Sequence, residues 1–281
     1  MDRPLVGLMY RQELARGLRD AGKEVDFLEV TAEHFLGPAS GYAGVAEEFS
    51  RRWPLLVHGL DLSLGTAADP EPNATRERQG LVRRLGAQAF SEHVSFTKVP
   101  GRAVGCLSPL PFCEAAVEAL VRRSEALQEG LGVTLRLENI AYYFRPPGDE
   151  MTEVEFLRAV LDRTGAEALL DLNNLHANAT NFGYDAEAFL DAFPLDRVTE
   201  VHLAGGDWHG DQQAGLARMF IDTHGAAPGP EVMRLLEIVA SRAPLRHVTL
   251  EWDHSFPPFE RIVEVLRDAR SRVTRGAEVA R

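Results

Sequence analysis

The chain is 281 residues long and 45% hydrophobic, enough to bury one large core, and a single barrel-sized domain fits that length better than two half-size domains. A formal charge of -12 argues against a nucleic-acid backbone as the main partner, because such binding relies on clustered Lys and Arg to displace counterions. The opening MDRPLVGLMYRQEL lacks the apolar run of a signal peptide, no stretch of about 18 apolar residues follows, and Cys106 and Cys113 are too few for a disulfide framework, so a soluble, cytoplasmic protein with two free thiols and no membrane association is expected.

Eight runs rich in Val, Leu and Phe fall near residues 5-9, 25-30, 55-58, 89-94, 134-138, 168-172, 198-203 and 247-252, and segments of helical period separate most of them. This alternation predicts an α/β fold, a single (β/α)8 TIM barrel. Cys113, Val117, Leu120, Val121 and Leu127 share one helical face, as do Leu157, Val160 and Leu161, and Phe259, Ile262, Val263 and Leu266. Breakers at Gly37-Pro38, Asp69-Pro70, Pro146-Pro147-Gly148 and Gly229-Pro230 separate elements without forming an interdomain linker. Residues 1-270 therefore read as one catalytic barrel, and Ser271 to Arg281 as a frayed C-terminal tail. The longest connection, Ala204 to Gly229, carries His209, Asp222 and His224 and is expected to fold over the barrel mouth.

The ends of these runs carry the chemistry. VDFLEV stops near Glu29, PLLVH on His58, QAFSEH on His93, TLRLE on Glu138, ALLD on Asp171, VTEVH on His202 and HVTLE on Glu251. In a parallel barrel all such ends lie around one mouth, where barrel enzymes keep their active sites. A lone histidine is more often a buried, hydrogen-bonded ring, and Glu138 has Arg136 and Arg145 as alternative ionic partners. Together, however, the ring of imidazoles and carboxylates predicts a metal centre. Asp222 and His224, in FIDTHG, alternate so that both side chains reach one ion if the segment is extended, and Asn174 is chosen over Asn173 as an amide ligand. His176 and His209 are reserves; His34, His247 and His254 are expected to be structural. Nine nitrogen or oxygen donors (His58, His93, Glu138, Asp171, Asn174, His202, Asp222, His224 and Glu251) exceed what one tetrahedral ion uses, so two or three ions are expected. Donor chemistry alone leaves iron, manganese and zinc open.

The series PLLVHGLDLSLG, SEHVSF, LENIAYYF, LLDLNNLHANATNFGYD, EVHLAGG, IDTHG and LEWD resembles the multinuclear non-haem iron-dependent oxidative enzymes, a family that includes the methanobactin-forming oxidase and relatives that modify cysteine in ribosomally made peptides. The resemblance runs from about Val6 to Leu266. It implies a xylose-isomerase-like barrel holding two or three iron ions, with dioxygen as co-substrate. His58, His93 and Glu138 would hold one iron, Asp171, His202 and Glu251 a second, and Asn174, Asp222 and His224 a third, with Glu138, Asp171 and His202 at the reacting centre. The family chemistry would place a substrate cysteine thiolate on a ferrous ion and remove hydrogen from its β-carbon. The implied partners are a cysteine-containing precursor peptide and a separate peptide-recognition protein. Two departures stand out: many relatives read HLAGH where this chain has Gly206, and many have Asn where His34 follows Glu33. A zinc- or manganese-dependent barrel hydrolase or isomerase is the alternative, and a non-catalytic barrel that keeps metal for stability is a third reading.

Overall fold

The computed structural model describes residues 3–21, 23–36, 42–69, 71–99, 101–210 and 217–279; the expected breakers at Gly37-Pro38 and at Pro70 lie outside them. In chain order the strands are β1 (Leu5–Met9), β2 (Leu28–Thr31), β3 (Leu55–His58), β4 (Ala89–His93), β5 (Phe96–Val99), β6 (Arg102–Ser108), β7 (Thr134–Glu138), β8 (Glu167–Asp171), β9 (Val198–Leu203), β10 (Asp207–His209), β11 (Met219–Ile221) and β12 (His247–Leu250). Eight of them close a barrel in the order β1-β12-β9-β8-β7-β4-β3-β2, so each barrel strand lies beside the next one in the chain. The pairs β1–β12, β12–β9, β2–β3, β3–β4, β4–β7 and β7–β8 are parallel. The two remaining pairs, β5–β6 and β10–β11, are antiparallel hairpins inserted after the C-terminal ends of β4 and β9.

The barrel strands are buried along nearly their whole length, which is why they read as continuous apolar runs. Successive side chains nevertheless alternate. On β7, Leu135 and Leu137 face one way and Arg136 and Glu138 the other, and the register Ser91↔Arg136 and His93↔Glu138 puts the polar residues of β4 on that same face. His58 joins them through its pairing with Ser91.

The helices follow from their stripes and caps. Glu153–Thr164 opens on a capping box between Thr152 and Glu155, closes on Gly165 in the left-handed region (φ 66°), and buries Phe156, Leu157, Val160 and Leu161. Glu114–Gln128 buries Val117, Leu120 and Leu127; Val121 is half-buried, and Cys113 precedes the helix as its cap. The last helix corrects the expected tail: Phe259–Val279 runs through Ser271, with Val273 buried and Gly276 so close to the Glu237 carbonyl that a Cβ would lie 2.7 Å from it.

By packing, the chain divides into two compact units: one of Met1–Asp26, Ala141–Tyr143 and Leu170–Arg281, the other of Phe27–Ile140 and Phe144–Leu169. The first contains β1, β9 and β12, the second β2, β3, β4 and β7, and the chain passes between them within β8. Each unit carries its own set of side chains that could hold a metal ion.

Candidate metal centre

In the unit of β2, β3, β4 and β7, His58, His93 and Glu138 end three neighbouring strands and bring ligand atoms within 4.8 Å of one another. The Glu138 Oε2 oxygen lies 3.5 Å from His58 Nε2 and 3.2 Å from His93 Nε2, and the two rings meet edge to face with centroids 4.7 Å apart. All three residues are buried.

The other nitrogen of each ring decides what Nε2 presents. His93 Nδ1 lies 3.2 Å from the Gly59 carbonyl, which only accepts, so Nδ1 carries the hydrogen. His58 Nδ1 lies 2.8 Å from Ser91 Oγ, whose own hydrogen is donated to Glu29 Oε1 at 3.2 Å, so this Nδ1 is again the donor. Each ring therefore turns its Nε2 toward a Glu138 carboxylate oxygen. Two ring nitrogens and a carboxylate converging in a buried space call for a proton or a metal ion among them, and nitrogen and oxygen donors without thiolate suit iron, manganese or zinc. Gly59 is needed here: a Cβ would lie 2.5 Å from Glu92 Oε2. Glu92 in turn accepts from the backbone of His93 and Leu62, tying the segment after β3 to β4.

In the other unit, Asp171, His224 and Glu251 form a second group of ligand atoms within 4.8 Å. Asp171 is both the end of β8 and the cap of the helix Leu172–Phe182, accepting from Asn174 N at 2.6 Å. Glu251 follows β12 directly and has His202 Nδ1 at 3.3 Å and His224 Nδ1 at 3.6 Å. His224 sits in a turn with φ 53°, its Nε2 2.9 Å from Asp222 and its Nδ1 3.2 Å from Asp253. Burial alone would lower the His224 imidazole, but the carboxylates of Glu251, Asp222 and Asp253 hold it well above the ordinary histidine range. An imidazolium among three carboxylates marks a place where a proton occupies the position a metal ion could take.

The expected residues thus separate into two sets, with one regrouping. His224, expected beside Asn174 and Asp222, also lies with Asp171 and Glu251. Of the two amides, Asn173 reaches Asp222, donating at 2.6 Å, while the Asn174 backbone serves the helix cap. His176 packs edge-on against Phe220, and His209 is exposed on β10 opposite Met219. A Cβ on Gly206 would meet the Ile221 carbonyl at 2.4 Å and the Phe220 ring at 2.6 Å, so β11 occupies the space where a side chain at 206 would begin. Sequence reasoning missed Ser91, Glu29 as a working group rather than a mere strand residue, and Tyr143, whose hydroxyl accepts from Asp222 N at 3.0 Å. Ser91 alone carried a signal, standing two residues before His93 on the same face.

Solved structures share the architecture at low identity. The chain is similar to 3-keto-D-glucoside 4-epimerase YcjR from E. coli (TM-score 0.58, 13% identity, 96% of this chain and 100% of that one) and to an L-ribulose 3-epimerase (TM-score 0.57, 16% identity, 99% and 95%). Among curated sequences it is 36% identical to a UPF0276 protein of Chromobacterium violaceum over 90% of this chain and 88% of that protein, and 38% identical to one of Pseudomonas aeruginosa over 91% and 88%. The model of the RiPP precursor modification enzymes MbnB/TglH/ChrH, which act on ribosomally made peptides, matches residues 5–274, and the chain belongs to that family.

Proposed function

We propose that this protein is a multinuclear non-haem iron enzyme that uses dioxygen to oxidise cysteine residues of a ribosomally synthesised precursor peptide in the cytoplasm, delivered by a separate peptide-recognition protein. The observation that carries the reading is the convergence of the His58 and His93 Nε2 atoms on the Glu138 carboxylate, with a second donor set at Asp171, His224 and Glu251. His58, His93 and Glu138 hold one ion; Asp171, His202 and Glu251 a second; Asp222, His224 and Asn174 complete a third position. Iron bound there supplies the one-electron steps that dioxygen chemistry needs.

The chain's own contribution is orientation and exclusion of water. Ser91 and Gly59 fix the two rings, Asn173 and Tyr143 fix Asp222, and Asp253 holds Nδ1 of His224. Burial of His58, His93 and Glu138 keeps bulk water from that donor set. The sugar epimerases that share the fold share it at under 20% identity, which supports the barrel and not their chemistry.

The test is element-resolved metal analysis of protein purified anaerobically without added metal or chelator, followed by oxygen uptake with a cysteine-containing peptide encoded nearby. Two or three irons per chain and peptide-dependent oxygen consumption are expected. Zinc or manganese instead, with no gain of iron on anaerobic reconstitution, would replace this reading with a hydrolase or isomerase.

A further inference from the structure

We propose that Glu29 and Ser91 form a buried relay that fixes the tautomer of His58 and backs it with negative charge. The proposal rests on the iron-centre reading for what His58 ligates, and on geometry alone for the relay itself. Three neighbouring strands supply the parts: Glu29 from β2, His58 from β3 and Ser91 from β4, exposed by only 0%, 3% and 2%. A carboxylate accepts and does not donate, so the Ser91 hydroxyl spends its one hydrogen on Glu29 Oε1 at 3.2 Å. Its oxygen is then left to accept from His58 Nδ1 at 2.8 Å. Glu29 itself stands 3.9 Å from that nitrogen, beyond hydrogen-bond reach, so the hydroxyl is the link.

The neighbouring ring is held differently: His93 Nδ1 meets the Gly59 carbonyl directly at 3.2 Å, with the Glu92 carboxylate 3.6 Å away and no hydroxyl between. A carboxylate behind an imidazole raises the basicity of its far nitrogen, and partners of this kind matter to metal sites nearly as much as the ligands do. One strand, β4, therefore carries His93 as a donor and, two residues earlier on the same face, the group that orients the other donor. Ser91 and Glu29 are positioning residues: they act through His58.

Two measurements on the full chain test the relay. In metal-free protein with 15N-labelled histidine, at a pH where His58 is neutral, long-range 1H–15N spectra should show His58 protonated on Nδ1 in the wild type and in Ser91→Thr, and a mixture of tautomers in Ser91→Ala. In an anaerobic cobalt(II) titration, Ser91→Ala should weaken the site at His58 by about 10- to 100-fold and shift its visible absorption bands. Ser91→Thr should restore both. Glu29→Gln should keep the tautomer but shift the bands, because the link remains and the charge is gone. A wild-type tautomer and wild-type cobalt affinity in Ser91→Ala would overturn the relay, as would loss of cobalt in Glu29→Gln with full binding in Ser91→Ala, which would make Glu29 a ligand. If Ser91→Ala fails to fold, the spectra of wild type and Glu29→Gln decide: His58 protonated on Nε2, or bands unmoved by Glu29→Gln, refutes the relay. Wild-type protein that binds neither cobalt nor iron would instead sink the iron reading, while the tautomer measurement would still decide the relay.

Discussion

The two donor sets are built on different principles. His58, His93 and Glu138 stand on three hydrogen-bonded strand ends, all buried, with the second nitrogen of each ring already held. Asp171, Glu251 and His224 come from a helix cap, the residue after a strand and a turn in the left-handed region, and the His224 side chain is 17% exposed. Around His224 the order comes from carboxylates gathered about one imidazole. The first set is organised by the sheet, which exists whether or not an ion is bound. The second is organised by charge, and is balanced by a proton when no ion is there.

The contrast is broken most directly at Glu138. Glu138→Ala should remove the ion of the first set and abolish turnover while the circular dichroism spectrum stays native; unchanged metal content would remove Glu138 from the ligands. A sharper division comes from His224, where ligand and backbone roles separate. Both His224→Ala and His224→Asn should lose an ion from the second set and leave the first occupied. The alanine variant should lose about 1–2 kcal/mol more stability than the asparagine variant, because Asn tolerates the left-handed region and Ala does not. Equal melting temperatures for the two would show that the turn is not strained.

The smallest effect lies in the frame of the first set. Glu33 accepts from Leu60 N and pairs with Arg78, which also binds Asp61. Burial, the Glu92 carboxylate and the hydrogen bond with Asp61 push the Glu33 carboxyl up to about 7 from 4.5. The folded state thus binds this proton more tightly than the unfolded chain does, so its stabilising contribution is full below pH 4.5 and is lost as pH rises through 7. Glu33→Gln stays neutral throughout. Its melting temperature should gain on the wild type between those limits, and a constant difference across the window would refute the shift.

The same division explains what could be read from sequence. The eight barrel strands were legible to within a few residues, because parallel strands buried on both faces appear as unbroken apolar runs, and their C-terminal ends point to His58, His93, Glu138 and Asp171 without further knowledge. The two hairpins were not legible: β5 and β6 carry no continuous buried stretch, and β10 and β11 are only three residues each. Asn173 and Asn174 are adjacent on one helical turn, and only the position of Asp222 shows which amide reaches it. The tail was misread because the stripe of Ile262, Leu266 and Ala269 continues past Ser271 only through Val273 before giving way to small-residue packing at Gly276. Ser91 escaped because a serine beside better-known ligand types looks like filler until its oxygen is located, and Glu29, already placed at a strand end, gains its task only through that oxygen.

Gly206 has a consequence for anyone grafting residues between relatives. After HLAG this chain has a glycine whose missing side chain is what lets the Ile221 carbonyl and the Phe220 ring come in. A histidine placed there alone would import an imidazole with nowhere to stand, so a graft at position 206 has to exchange the strand 219–221 with it.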